Sequence, residues 1–201
     1  MSRPLRHLLL VIAAAALAGV GLVLVRSPDA AYTAQEWLNR PRYWQYDPLI
    51  EEMSHKHGVD PMLVKAMVWR ESKFRADMVG TSGERGLMQV GEPAARDWAK
   101  AEKMDTFVPT DLFDPKVNLD VGTWYLAKAA EHWKDKDDPI PFTLAEYNAG
   151  KKHVNRWIKE SGKADAVTAA DLMQWVDFPT TKKYIEDITA RRALFQRKGR
   201  L

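Results

Sequence analysis

The 201-residue chain contains no cysteine. That absence excludes disulfides, a cysteine-based zinc site, a cysteine nucleophile and lipid attachment at an N-terminal cysteine. No stretch alternates apolar and polar residues with the period of two that a half-buried strand requires, and there is no internal repeat or low-complexity segment. Histidine is scarce. His7, His55, His57, His132 and His153 show no metal-ligand spacing, and His55 and His57 face different sides of a helix, so neither a metal nor a cofactor is expected. Charge of neither sign dominates: 30 Lys and Arg stand against 27 Asp and Glu, a formal +3 with a pI near 9.0. A mildly basic balance suits an acidic polymer or a membrane surface. The basic cluster Arg191, Arg192, Arg197, Lys198 and Arg200 has no nucleic-acid recognition motif beside it. It reads as a solvated helix end, where cations are favourable, and no nucleic-acid partner is expected.

What is present is globular in composition, with 46% hydrophobic and 28% charged residues, enough for one ordinary domain and a short extension. Arg3 and Arg6 precede an uncharged run, Leu8 to Val25, that Arg26 closes. Its length of about 18 residues is near the lower limit for crossing a bilayer. It exceeds the ~7–15-residue apolar core of a cleaved signal, and the small-residue stretch Ala16-Leu17-Ala18 lies inside the run. Residues 1–26 are therefore expected to be an uncleaved signal anchor, with a cleaved signal peptide as the alternative. The two arginines would stay on the cytoplasmic side and the rest would be exported. Residues 27–46 read as a linker with breakers at Ser27-Pro28-Asp29 and Arg40-Pro41. Its aromatics Trp37, Tyr43, Trp44 and Tyr46 would fold back or rest at the lipid interface.

Residues 47–201 read as a single all-α domain. Pro48 to His57 forms a helix ended by Gly58. Asp60-Pro61 opens the next, with Asp as N-cap and Pro in the first turn. That helix runs to about Ser72 and places Val64, Met67, Val68 and Glu71 on one face. Residues 75–85 are a loop. Helices follow over 93–100, 118–133, 143–148, 153–159 and 184–196, with a charged loop over 135–141 and a left-handed stop at Gly150. Trp69, Trp124 and Trp133 lie on helical patterns and are assigned to packing.

Glu71 is the candidate of most chemical interest. A carboxyl on an apolar stripe is costly unless it is neutral or paired. One kept neutral near pH 7 is what cleavage of a glycosidic bond requires of its general acid. The alternative is an exposed helix-end acid paired with Arg70 or Lys73.

Glu71-Ser72-x-Phe74, Gly83-x-x-Gly86-Leu87-Met88-Gln89 and Tyr147-Asn148-Ala149-Gly150 occur in that order, with Asp114-Pro115, Asn118, Gly122 and Tyr125-Leu126 between the second and third. This pattern resembles the catalytic domain of soluble-type lytic transglycosylases, which share a lysozyme-like fold with goose-type lysozymes, over about residues 48–195. The resemblance implies cleavage of peptidoglycan glycan strands without water, leaving 1,6-anhydromuramoyl ends, with Glu71 as acid and then base. It implies substrate-binding roles for Gln89, Met88 (lining the groove), Tyr147 (its hydroxyl near Glu71) and Asn148, and a close glycan approach over Gly83 and Gly86. Two positions depart from the pattern. Many relatives carry serine where this chain has Gly80, so that contact either shifts to a neighbour, Thr81 or Ser82, with Ser82 as the candidate, or is lost. Thr180 stands where relatives often carry glutamate. Glu84 and Glu146 are further acids near the motifs, and a hydrolase using one of them with water is the rival reading. A peptidoglycan-binding scaffold with vestigial activity is the third. Expected partners are the glycan strands, the membrane through the N-terminal helix, and a cell-envelope assembly complex.

Overall fold

The computed structural model describes residues 3–26 and 30–199; the Ser27-Pro28-Asp29 breaker and Arg200 lie outside the described residues. The chain divides into two compact units, Met1–Trp44 and Gln45–Leu201. In the first unit, α1 spans Arg3–Arg26, and Pro4–Val23 within it is long and apolar enough to cross a membrane. Two short helices follow, α2 (Ala30–Leu38) and α3 (Arg40–Trp44), where the sequence suggested an irregular linker. Pro41 falls in the first turn of α3, a position where proline's missing N–H costs nothing.

The second unit is all helical, as expected, and the same proline logic sets out its elements. Helices α4 (Asp47–His57), α5 (Pro61–Ser72), α6 (Glu92–Ala101), α7 (Pro115–Trp133), α8 (Pro139–Ala149) and α11 (Pro179–Lys198) each carry a proline in the first turn. Aspartates complete three of these starts. Asp60 accepts the Met62 N–H at 2.9 Å, Asp114 those of Lys116 and Val117 at 2.8 and 3.0 Å, and Asp138 that of Ile140 at 3.2 Å. Each such cap contributes about 1 kcal/mol. The 135–141 segment is thus only half loop, because Asp138-Pro139 starts a helix. Helices α9 (Lys151–Glu160) and α10 (Ala169–Trp175) complete the set. Helix α10 shows little apolar periodicity, yet Thr168 and Asp171 cap its start reciprocally. Gly150 has φ 87° and ψ 149°, so it joins α8 directly to α9 instead of closing α8 in the left-handed helical conformation. Gly58, at φ 68° and ψ 33°, is the left-handed stop of α4.

Helix α7 is central, packing on α4, α6 and α8, while α11 packs on α5 and α8. Val64, Met67, Val68, Leu119, Leu126, Phe142, Leu144 and Ile188 are fully buried between them. Trp133 is buried and stacks on Phe142 with ring centres 5.7 Å apart. Trp69 and Trp124 are half-buried, each beneath a lysine ammonium, Lys73 and Lys128 respectively. The described residues of this unit contain no strand. Single β-bridges, Val79 with Arg85 and Arg85 with Val90, fold the 79–90 segment into a tight loop.

Candidate active site

Helix α5 presents Glu71 in its last turn, and a hydrogen-bond net then fixes what faces it. The Ser72 hydroxyl, buried, donates to the Val68 and Leu87 carbonyls at 3.2 and 2.8 Å. This ties the end of α5 to the Gly86–Val90 turn. Lys73 and Phe74 both adopt left-handed backbone, φ 54° and 60°, so the chain turns away sharply after Glu71. From α7, the buried Asn118 side chain accepts the Met88 N–H at 2.8 Å and donates to the Arg85 and Leu112 carbonyls at 2.8 and 2.9 Å. From α8, the Tyr147 hydroxyl donates to the Met88 carbonyl at 3.0 Å. The turn is therefore held from three helices.

These elements enclose a groove of about 580 Å³ lined by Glu71, Gly80, Glu84, Gln89, Tyr147 and Asn148, with Thr81 and Tyr125 among its other walls. Glu71 is half-buried there. The Tyr184 hydroxyl, from α11, donates to its Oε1 at 2.6 Å. Burial drives the Glu71 carboxyl up from the ordinary range to about 7. The Tyr184 hydrogen bond and Arg70 oppose that rise, and the nearby Glu84 adds to it. The pairing alternative does not hold among the described residues. Arg70 is bound to Asp187 at 3.2 Å, and Lys73 lies 3.4 Å above the Trp69 ring and donates to the Trp69 carbonyl. Burial also pushes the phenols of Tyr147 and Tyr184 well above their ordinary pKa, so both remain hydrogen-bond donors near neutral pH.

The structure brings Glu71, Gln89, Tyr147 and Asn148 to one groove. Gln89 sits at φ 47°, and its amide nitrogen donates to the Met78 and Gly86 carbonyls at 3.2 and 2.9 Å. Both amide hydrogens are thereby used, and the side chain offers its oxygen to the groove. The Asn148 Oδ1 accepts from the buried Thr181 hydroxyl at 2.7 Å, which leaves its NH2 group for a ligand.

Other expectations need correction. Met88 does not line the groove. Its side chain is fully buried against Gly122 of α7, where an added Cβ would lie 2.5 Å from the Met88 sulfur, and only its backbone serves the site. Ser82 is exposed and outside the groove wall; its N–H donates to Glu84 Oε2 at 3.1 Å, and Thr81 takes the lining position. Tyr147 stands beside Glu71 in the groove wall, but the hydroxyl that hydrogen-bonds Glu71 belongs to Tyr184. Gly86 accommodates protein instead of glycan, since a Cβ there would strike the Asn118 amide and the Leu112 carbonyl. Glu146 is buried in α8, 2.8 Å from His132 Nδ1 and accepting the Trp133 indole N–H at 2.7 Å, so it is a packing acid. Thr180 is exposed, and its neighbour Thr181 holds Asn148. Tyr184 carries a sequence signal of its own. It stands three residues after Thr181, on the same face of α11.

With this geometry in hand, comparison with known proteins is specific. Residues 48–169 match the family model described as the transglycosylase SLT domain. Among curated proteins, the membrane-bound lytic murein transglycosylase F of Desulfosudis oleivorans is 35% identical over 113 residues, 55% of this chain and 23% of that protein. The membrane-bound lytic murein transglycosylase C of Shigella sonnei is 33% identical over 138 residues, 66% of this chain and 37% of that protein. The chain thus spans between about a quarter and somewhat over a third of these relatives. In solved structures, the 70-kDa soluble lytic transglycosylase of Escherichia coli superposes with a TM-score of 0.68 at 24% identity, over 75% of this chain and 24% of that one. An inactive mutant of the Pseudomonas aeruginosa lytic transglycosylase Slt superposes with a TM-score of 0.70 at 20% identity, over 84% and 27%. These superpositions establish the lysozyme-like all-α fold expected from the motifs.

Proposed function

Because this chain belongs to the transglycosylase SLT domain family, we propose that it is a peptidoglycan lytic transglycosylase that cleaves the bond between N-acetylmuramic acid and N-acetylglucosamine without water. The observation that carries this reading is Glu71, a half-buried carboxyl with a pKa of about 7, hydrogen-bonded by Tyr184 at the wall of a groove. Near neutral pH such a group is divided between its two forms, which suits one residue acting first as acid and then as base. Protonated Glu71 gives its proton to the leaving glycosidic oxygen as the C1–O bond breaks. The C6 hydroxyl of the same muramic acid attacks C1, and its proton returns to the Glu71 carboxylate. The product is a 1,6-anhydro end, and Glu71 is restored. General acid–base help of this kind supplies roughly 10²–10⁴ in rate. The Asn148 NH2 and Gln89 oxygen hold the sugar, and Tyr184 orients the carboxyl. The relatives described as membrane-bound and the apolar helix α1 support a place in the cell envelope, with α1 as anchor and the catalytic domain in the periplasm.

A second reading, hydrolysis with Glu84 as base for a water, is favoured by one observation: Glu84 lines the same groove. Digestion of purified sacculi in heavy-oxygen water, followed by mass spectrometry, decides between them. Anhydro ends free of heavy oxygen are expected, and incorporation at the new end would replace this reading with hydrolysis. Loss of all products in Glu71→Gln is expected of either enzyme; residual full activity in that variant would remove Glu71 from the chemistry. Absence of cleavage by the unaltered chain would leave a peptidoglycan-binding module, of the kind an envelope assembly complex would use.

A further inference from the structure

The groove holds a carboxylate, Glu84, to which the acid–base cycle at Glu71 gives no task. Its Oε2 accepts the Ser82 N–H, and among the described residues no Lys, Arg or His pairs with it. Gly80 lies directly beneath. The Gly80 N–H donates to the Glu84 carbonyl at 2.7 Å, and a Cβ added at Gly80 would run into Glu84 Oε2 and fall 2.7 Å from Gln89 Oε1. The missing side chain at position 80 is therefore what allows the carboxylate to sit where it does. Two oxygens converge over one bare Cα in the groove floor. Both amide hydrogens of Gln89 are taken by the Met78 and Gly86 carbonyls, so Gln89 presents only an acceptor here. Ionised Glu84 is likewise acceptor-only. The complement of two acceptors is a donor, and a glycan offers hydroxyl O–H and acetamido N–H groups. A bond from either to a carboxylate is stronger than one to a neutral oxygen.

We propose that Glu84 and Gln89 Oε1 form an acceptor pair over Gly80 that binds a hydroxyl or acetamido N–H of the glycan beside Glu71, so that Glu84 is a substrate-binding residue of this groove. The inference rests on the glycan-cleaving reading above. It also gives Glu84 a second measurable effect, since its charge helps keep Glu71 protonated.

The test uses the full chain carrying Glu71→Gln, so that binding is read without turnover. Calorimetric titration with a peptidoglycan glycan fragment should show affinity about tenfold weaker when Glu84→Gln is added, the usual effect of losing a charged acceptor. Gly80→Ala, which displaces the carboxylate, should weaken binding similarly. The two together should cost no more than the larger single change, because they remove one interaction. In the active chain, Glu84→Gln should raise KM and move the alkaline limb of the pH profile to lower pH. Affinities within twofold in all variants, with cleavage by the unaltered chain intact, would overturn the acceptor pair and leave the enzymatic reading standing. A tenfold binding difference in a chain that never cleaves glycan would do the reverse.

Discussion

The Tyr184 hydroxyl donates to Glu71 Oε1 at 2.6 Å across 113 residues of sequence, joining the first turns of α11 to the last turn of α5. A phenol donating to a carboxyl stabilises the ionised form and so opposes the burial that raises it. The level near 7 is a balance between these two effects, and it can be shifted from either side.

Glu71→Gln tests the burial side. A carboxyl whose folded pKa is raised binds its proton more tightly in the native state than in the unfolded chain. Stability therefore falls as pH rises from the unfolded value, near 4.3, to about 7, and is level outside that window. The amide carries no such penalty. The variant should match the unaltered protein near pH 4 and exceed it above pH 7, by up to roughly 4 kcal/mol before discounting for groove solvent. Urea unfolding at pH 4, 6 and 8 checks this; a variant less stable at pH 8 would mean that Glu71 is ionised and paired.

Tyr184→Phe tests the opposing side. Removing the donor should raise the Glu71 pKa further and carry the alkaline limb of kcat/KM to higher pH. The peak rate should drop about tenfold, because the carboxyl loses the bond that orients it. A pH profile of turbidity clearing with suspended peptidoglycan reads both. An unshifted limb would sever Tyr184 from the titration.

Asn118→Ala should be among the most damaging changes outside the groove. The side chain is fully buried and satisfies the Met88 N–H and the Arg85 and Leu112 carbonyls. Loss of about 3 kcal/mol is expected, with reduced glycan cleavage because the turn carrying Gln89 loosens. Denaturant midpoints and activity on sacculi measure the two effects separately.

Gly122→Ala adds a methyl 2.5 Å from the Met88 sulfur and 2.8 Å from its Cβ. Overpacking of this kind costs about 2 kcal/mol. Combining it with Met88→Ala should cost less than the sum of the two single changes, since they share one contact. Thermal unfolding of the four proteins in the cycle is the measurement.

Much of the helical layout was legible because its signals are local. Asp60-Pro61 and Asp114-Pro115 announce helix starts through a side chain and a ring that act within one turn. The 135–141 segment reads as loop because it is charged, yet Pro139 lies in the first turn of α8, and the break at Arg40-Pro41 both separates α2 from α3 and opens α3. In the site, Glu71, Gln89, Tyr147 and Asn148 sit inside short runs that the sequence displays, and the structure brings them to one groove. Met88 and Ser82 share those runs yet do not line the groove, because neighbours in a tight turn point in different directions and only packing selects which face the ligand.

The sequence by itself determined an apolar N-terminal helix followed by an all-α domain of the SLT kind, and it singled out Glu71 as the candidate acid. Those properties follow from periodicity, caps and short motifs, which are read within a few residues of one another. The tertiary structure alone decided which hydroxyl meets Glu71, that Glu146 is spent on His132 and Trp133, and that Glu84 occupies the space above Gly80. Each of these depends on partners placed together by helix packing or by a folded loop. The pKa of Glu71 depends on the same packing, since burial between distant segments is its largest cause.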